Sequence, residues 1–362
     1  MKHLLLTLIA ASLFAGCSTD LDINAEYKEI TIVYGLMNPR DSVHLVKINK
    51  AFLGEGNAYD MALVADSNEY SGEAIELAVV DRLDGNGNVI ATYDLHDTLI
   101  TNREPGTFNA PVQKLFYFRT PFFDELNTGR MYLDLDAKYR IRLRVKGADI
   151  TSSTPIVNDF RIDPVDQDTG NVQTSRVNLM NSQGTDYGDY EFNWTSKADC
   201  KRTVVHFRFR YDEVRGTDTI QKEYSQLIGT RVADDSQLNQ DHEVRMGGAS
   251  FFSGLAGTIK NQPDWASVDK RIFRGMDFLC AVANDDFHTY LTLTEPVSGI
   301  IEDRPDYSNV SGAFGIWGSR YTKNVVGKRL NGNTLTELVE GQYTSDLHFC
   351  SALDPGGAFS CN

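Results

Sequence analysis

Several signatures are missing from this chain, and each absence narrows what it does. No H-E-x-x-H pair, G-x-S-x-G elbow, phosphate-binding glycine loop or S-x-x-K occurs, so the common metalloprotease, serine-hydrolase and nucleotide-binding chemistries have no sequence support. The seven histidines, His3, His44, His96, His206, His242, His288 and His348, are scattered, with no two a helical turn apart. Cysteine is scarce, with five in 362 residues and none in C-x-x-C spacing, which argues against a zinc site. No cofactor is expected. Basic charge is in deficit: 35 Lys and Arg against 50 Asp and Glu give a net charge of −15. Such a chain repels nucleic acid and anionic headgroups. Beyond residue 16 no apolar run approaches the roughly 20 residues a membrane-spanning helix needs. Long Ala/Leu/Glu/Lys stretches, internal repeats and low-complexity tracts are absent as well.

The residues that are present point to export. Lys2 and His3 precede an apolar run, Leu4 to Gly16, that ends Leu13-Phe14-Ala15-Gly16-Cys17. A positive start, a short apolar segment and small residues before the cut make a secretory signal peptide of residues 1–16. With Cys17 at the cut, the leader resembles a bacterial lipoprotein signal. That resemblance implies acylation of Cys17 and anchoring to outer-membrane lipid, with residues 17–27 as a tether. Ser18, directly after the cysteine, is not the aspartate that retains such proteins at the inner membrane. The acidic Asp20 and Asp22 partly resemble a surface-export signal of the Bacteroidota.

A hydrophobic content of 41 %, with 19 Phe and 16 Tyr, fits a folded, strand-rich chain. Alternation predicts strands at 29–34, 42–49, 75–79, 89–93, 115–119 and, most clearly, 139–145. In the last of these Tyr139, Ile141, Leu143 and Val145 line one face, and Arg140, Arg142, Arg144 and Lys146 follow on the other or just beyond. Asp84 to Asn88 reads as a hairpin loop, 57–66 as one short helix, and 152–155 as a strand end. The expected class is mainly β. An immunoglobulin- or fibronectin-like sandwich over 28–157 is followed by a β-rich second domain, 158–362, with one or two short helices. In that domain 205–211, 276–283, 289–294 and 313–317 read as strands. The stretch 263–274 reads as the best helix, with Pro263 in its first turn and Gly275 at its end.

Four cysteines remain after the leader, and three connectivities are open to them. Cys350 and Cys361 flank the turn signal Asp354-Pro355-Gly356-Gly357, which favours their pairing; Cys200–Cys280 then follows by elimination. The alternative is four buried, free thiols. Asp84, Asn86 and Asn88 mimic half a calcium loop, but Val89 and Leu95 stand where glycine and glutamate are needed. Asp166, Asp168 and Gly170 form a similar loop without a downstream ligand. Asp285-Asp286 reads as a turn between strands. The basic stripe 140–146 is expected to pair with acids such as Glu73 and Glu76. The aromatic segments 114–118, Phe122-Phe123 and 307–320 are core if buried and a partner surface if exposed.

Lys47 to Asn57, within Asn38 to Asp66, together with Tyr307 to Arg320, resembles an uncharacterised family of Bacteroidota outer-membrane lipoproteins. The resemblance implies a two-domain, β-rich, non-enzymatic protein acting as a binding or accessory subunit, beside an outer-membrane β-barrel protein. It also implies O-glycan attachment at Asp-Ser/Thr sites followed by an aliphatic residue, which fits Ser42, Thr98 and Thr219, with Thr98 and Thr219 in turn-like, exposed surroundings. A hydrolase acting on polysaccharide or peptide, and a structural adhesin or surface-fibre subunit, are the alternatives.

Overall fold

Alternation decides most of the fold. The computed structural model describes residues 28–53, 57–126, 129–234, 239–294 and 307–361. The leader, Cys17 and the rest of the expected tether lie outside them. The first half contains β1 (Lys28–Met37), β2 (Val43–Leu53), α1 (Ala58–Ala62), α2 (Ala65–Asn68), β3 (Ile75–Leu83), β4 (Val89–Asp94), β5 (His96–Ile100), β6 (Gln113–Arg119), β7 (Asp124–Leu126), β8 (Gly129–Met131), β9 (Lys138–Val145) and β10 (Ala148–Pro155). The second half contains β11 (Arg161–Ile162), α3 (Pro164–Gln167), β12 (Asp189–Thr195), β13 (Arg202–Arg215), β14 (Asp218–Val232), β15 (Asp241–Gly247), α4 (Gly248–Lys260), β16 (Lys270–Ala283), α5 (Asp285–Thr294), β17 (Phe314–Lys328), α6 (Gly332–Glu340) and β18 (Phe349–Ser351). The protein is mainly β, with several sheets.

One nine-stranded sheet runs through both halves, in the order β14-β13-β16-β17-β1-β2-β6-β5, with β18 beside β16. The join is a parallel pair: β1 lies along β17, with Val33 opposite Gly315 and Gly35 opposite Trp317. A four-stranded sheet, β10-β9-β3-β4, packs on the β1-β2-β6 part. Between them lie Val33, Val46, Ile48, Phe118, Ile141, Leu143 and Trp317. On the other half β11-β12-β15 and α4 pack over β13 and β16, around Phe192, Phe207, Phe209, Phe251, Phe252 and Phe278. Two cores therefore exist, and they change over near residue 157. The expected boundary at 158 falls at this change-over, but the two cores are joined, because the long sheet crosses it. Trp317 shows why: its strand comes from the second half, yet its ring is fully buried in the first core and its Nε1–H donates to Tyr139 O at 2.9 Å.

The structure corrects several expectations. Residues 263–274 are a short turn at 265–267 followed by the start of β16, not a helix. Trp265, Val268 and Ile272 do have helical spacing, but Arg271 and Phe273 alternate into the core. The buried Arg271 guanidinium fixes that register through Glu213 Oε1 (3.0 Å), Leu347 O (2.8 Å) and Trp265 O (2.7 Å). The true long helix is α4. Gly248, Gly254 and Gly257 depress its propensity, and burial of Phe251, Phe252, Leu255 and Ile259 overrides them. Residues 289–294 are helix, not strand. Asp285 and Asp286 stand in the first turn of α5 rather than between strands, and the Asn284 side chain accepts from the Phe287 amide at 3.2 Å. Residues 152–155 continue β10 opposite β9 instead of ending a strand. The single helix expected at 57–66 is two short ones, α1 and α2.

His44 is a buried imidazole with an acid liability. It is 3 % exposed, stacks on Phe118 at 4.7 Å, bonds Thr120 Oγ1 through Nε2 at 3.0 Å, and leaves Nδ1 unpartnered. Desolvation pushes its pKa down to about 4, against 6.5 in the unfolded chain. Between those values the unfolded chain takes up a proton that the folded chain refuses. Stability therefore falls as pH drops from 6.5 through 4, by up to about 3 kcal/mol. Urea titrations at pH 7 and pH 4.5 should show this loss, and His44→Gln should remove most of the difference between the two pH values.

Candidate interaction surface

The alternation that fills the first core turns other residues outward. On β1, Val33, Gly35 and Met37 face in and Tyr34 faces out; on β2, His44, Val46 and Ile48 face in and Leu45 and Lys47 face out. Register brings the outward residues together: Tyr34 lies opposite Ile316 and Lys47, Leu45 opposite Tyr117, and Tyr117 opposite His96. α5 lies across this outer face, with no residue of its own fully buried. Its Tyr290 ring meets Tyr34 edge-on at 6.3 Å. Burial, and then hydrogen bonding to Tyr290, pushes the Tyr34 phenol up to about 12. Leu45, at 46 % exposed, stays open beside it.

The surface continues into the segment after β6. The Thr120 amide donates to Ser42 O at 3.1 Å, and the Tyr132 amide donates to Pro39 O at 2.8 Å, so these loops share one end of the sandwich. Phe122 and Phe123, at 52 % and 43 % exposed, are surface residues, the outcome that reads as a partner surface rather than core. Both rings are held by cations and a neighbouring ring: Arg130 lies 5.7 Å from the Phe122 centroid, Arg82 5.3 Å from Phe123, and Tyr132 meets Phe122 edge-on. Arg119 covers Tyr117 at 5.4 Å. Arg40 and Arg320 are exposed at the same end, flanking Asp41, whose carboxyl burial raises. Asp124 and Glu125 follow on β7. Phe122-Phe123 was legible in the sequence. Tyr34, Leu45 and the converging arginines were not, because only register brings them together.

The basic stripe of β9 has different partners from those expected. Asp81, fully buried on β3, accepts from Arg140 Nε and Nη2 (3.2 and 2.8 Å) and from Arg142 Nε and Nη2 (2.6 and 3.0 Å). Burial raises its carboxyl, but these bonds, with Thr92 Oγ1, prevail and hold it down to about 2. Arg144 pairs with Asp149 at 2.8 Å and Lys146 with Glu29 at 2.7 Å. Glu76 accepts from the Gly147 amide instead, at 2.8 Å. The same clasp recurs on the long sheet. Asp277 accepts from Arg208 Nε and Nη2 and from Arg210 Nε and Nη2, at 2.8–3.1 Å, with the Gly327 amide in the place of Thr92.

The Asp-rich loops direct their carboxylates to hydrogen bonds within the fold. Asp84 Oδ1 closes its hairpin by accepting the Asn86 and Asn88 amides. Asp166 is buried and accepts from Tyr190 Oη at 2.6 Å, while Asp168 closes a loop through Gly170, Asn171 and Ser175. Among the described residues no three His, Cys, Asp or Glu are placed to hold a metal ion. Cys350 and Cys361 are joined in a disulfide, with Cα atoms 5.1 Å apart. The expected Cys200–Cys280 bond is not formed, and both thiols are free and buried. Cys280 is fully buried near the C-terminal end of β16, and Cys200, just before β13, donates its Sγ–H to Asn158 O at 3.5 Å. Burial pushes the Cys200 thiol up to about 12. Of the three glycan candidates, Thr219 is exposed, but it lies in β14 opposite Val214. Thr98 is half-buried in β5 opposite Leu115, and Ser42 is half-buried just before β2. The turn-like setting expected for Thr98 and Thr219 is thus replaced by strand. Compared with known proteins, the chain matches no protein-family model and no curated protein sequence.

Proposed function

We propose that this protein is an outer-membrane lipoprotein, anchored through acylated Cys17, that serves as a non-enzymatic binding or accessory subunit of an outer-membrane protein complex. On this reading its first half is an immunoglobulin- or fibronectin-like scaffold presenting the Phe122/Phe123 end to a protein partner. The observation that carries the reading is the cluster of exposed, braced aromatics among Arg40, Arg82, Arg119 and Arg130. Aromatic and arginine side chains dominate the energetic centres of protein interfaces, and bracing cuts the entropy lost on docking. The arginines call for a partner surface carrying carboxylates. The leader and Cys17 support the membrane location.

The test is affinity purification of the tagged protein from outer membranes, followed by mass spectrometry. The unaltered protein should retain a membrane-protein partner that the F122S/F123S variant loses while remaining folded. Cys17→Ser should release the protein from the membrane fraction. An unchanged partner set in F122S/F123S would remove this surface from the reading. Membrane retention of the Cys17→Ser variant would remove the anchor.

A further inference from the structure

The end of the sandwich opposite Phe122 and Phe123 carries a second cluster of exposed apolar side chains. β1 starts at that end: Lys28 lies opposite Leu53, the last residue of β2, and α1 and α2 follow in the chain. The loop between β5 and β6 returns to the same end. Ile100 lies opposite Gln113 at its base, and the Asn109 amide donates to Ala62 O, between α1 and α2, at 3.1 Å. Asn68 Nδ2 donates to Ala62 O and Val64 O, both at 3.1 Å, and Arg103 Nη1 donates to Asn109 O at 3.1 Å. These bonds hold the loop and the α1–α2 link together. Tyr59, Leu63, Val64, Phe108 and Val112 stand on them, each between 41 and 72 % exposed. α1 buries none of its own residues. Arg103 lies 5.1 Å from the Phe108 centroid and braces that ring. Apolar side chains exposed together and held in place mark a contact surface.

We propose, on the reading that Cys17 is acylated, that this cluster rests in the headgroup layer of a phospholipid bilayer. Two observations favour lipid over a protein here. The first is where the chain enters the fold. Residues 17–27 lead into the start of β1, and fully extended they reach at most about 40 Å. A short tether attached at this end raises the effective concentration of lipid most at this end. The second is the kind of side chain. Tyr59 suits the headgroup level, while Leu63, Val64 and Phe108 suit the acyl boundary roughly 5–10 Å deep. Asp60, Asp66 and Glu104 are exposed around them, so a zwitterionic surface fits better than an anionic one. Phe122 and Phe123 then stand off the bilayer by about the length of the ten-residue β1, some 33 Å, and meet parts of a partner that project from the membrane.

The experiment places the acylated protein in phosphatidylcholine vesicles, with a nitrobenzoxadiazole fluorophore attached through Leu63→Cys or, at the opposite end, through Phe122→Cys. Cys200 and Cys280 are buried and Cys350 is bonded to Cys361, so the introduced thiol takes the label. Doxyl-labelled lipid should quench the probe at 63 by about half or more, as expected of a group within the interfacial layer, and leave the probe at 122 unchanged. Val64→Glu with Phe108→Glu should remove most of that quenching while the protein stays folded and anchored. Tyr59→Ser with Phe108→Ser is the second variant should the first fail to fold. If the protein does not float with the vesicles, the anchor fails and the proposal falls with it. If it floats but the probe at 63 is quenched no more than that at 122, the bilayer contact is overturned and the anchor stands. Undiminished quenching in both folded variants would also overturn it. A discrete protein crosslink from position 63 in cells, without quenching on vesicles, would assign the cluster to a protein instead.

Discussion

Replacing Arg208 and Arg210 together by methionine should destabilise the protein by about 3–5 kcal/mol at neutral pH, the usual cost of stranding a buried charge. The reason is Asp277. Its carboxylate is fully buried, and its partners are two guanidiniums and the Gly327 amide. Take the guanidiniums away and a buried negative charge keeps one neutral donor. Adding Asp277→Asn to the double variant should restore much of the loss, because the damage lies in the uncompensated charge rather than in the missing arginines. Denaturant unfolding of the three proteins measures this directly. If the double variant unfolds within about 1 kcal/mol of the parent, the range of an exposed pair, the clasp is only a surface ion pair.

The second large effect is expected at Gly315. Its φ is +123°, a backbone region that residues with a Cβ rarely adopt, and a Cβ there would run into the backbone carbonyl of Val33. Backbone cannot rotate aside as a side chain can. Gly315→Ala should therefore force β1 and β17 apart and cost upwards of about 3 kcal/mol, combining strain with lost pairing. Because this pair joins the two halves of the long sheet, amide-exchange protection should fall on both sides, in β2 and in β16. Loss confined to β1 and β17, or near-parental stability, would show that the halves do not depend on their shared sheet.

Much of the strand content was legible because one-sided burial leaves a period of two. Tyr139 to Val145 and Val205 to Tyr211 both keep the buried faces that alternation assigns them. Three failures share a cause, which is tertiary packing outweighing local preference. α4 forms despite its glycines because its Phe251/Phe252/Leu255/Ile259 face is covered. Residues 270–274 take strand register because Arg271 finds Glu213 across the sheet. Thr289 to Thr294, rich in strand formers, are helical on a helix that starts at Asn284 and rests on β17 and β1. The β1–β17 join was not legible at all. Residues 38–313 separate the two strands, and no local pattern announces a parallel pairing at that distance. The candidate surface is split in the same way. Phe122-Phe123 could be marked from sequence, whereas the approach of Arg82 and Arg130 follows from the fold.

The claim that the Phe122/Phe123 end docks a membrane-protein partner is tested most directly by site-specific photo-crosslinking in intact cells. A photoreactive phenylalanine analogue would replace Phe122, and, as a control, Ile220, which is 45 % exposed on the far edge strand β14. The account predicts a discrete crosslinked product containing an outer-membrane protein from position 122 and none from position 220. No product at 122, or the same products from both positions, would contradict it.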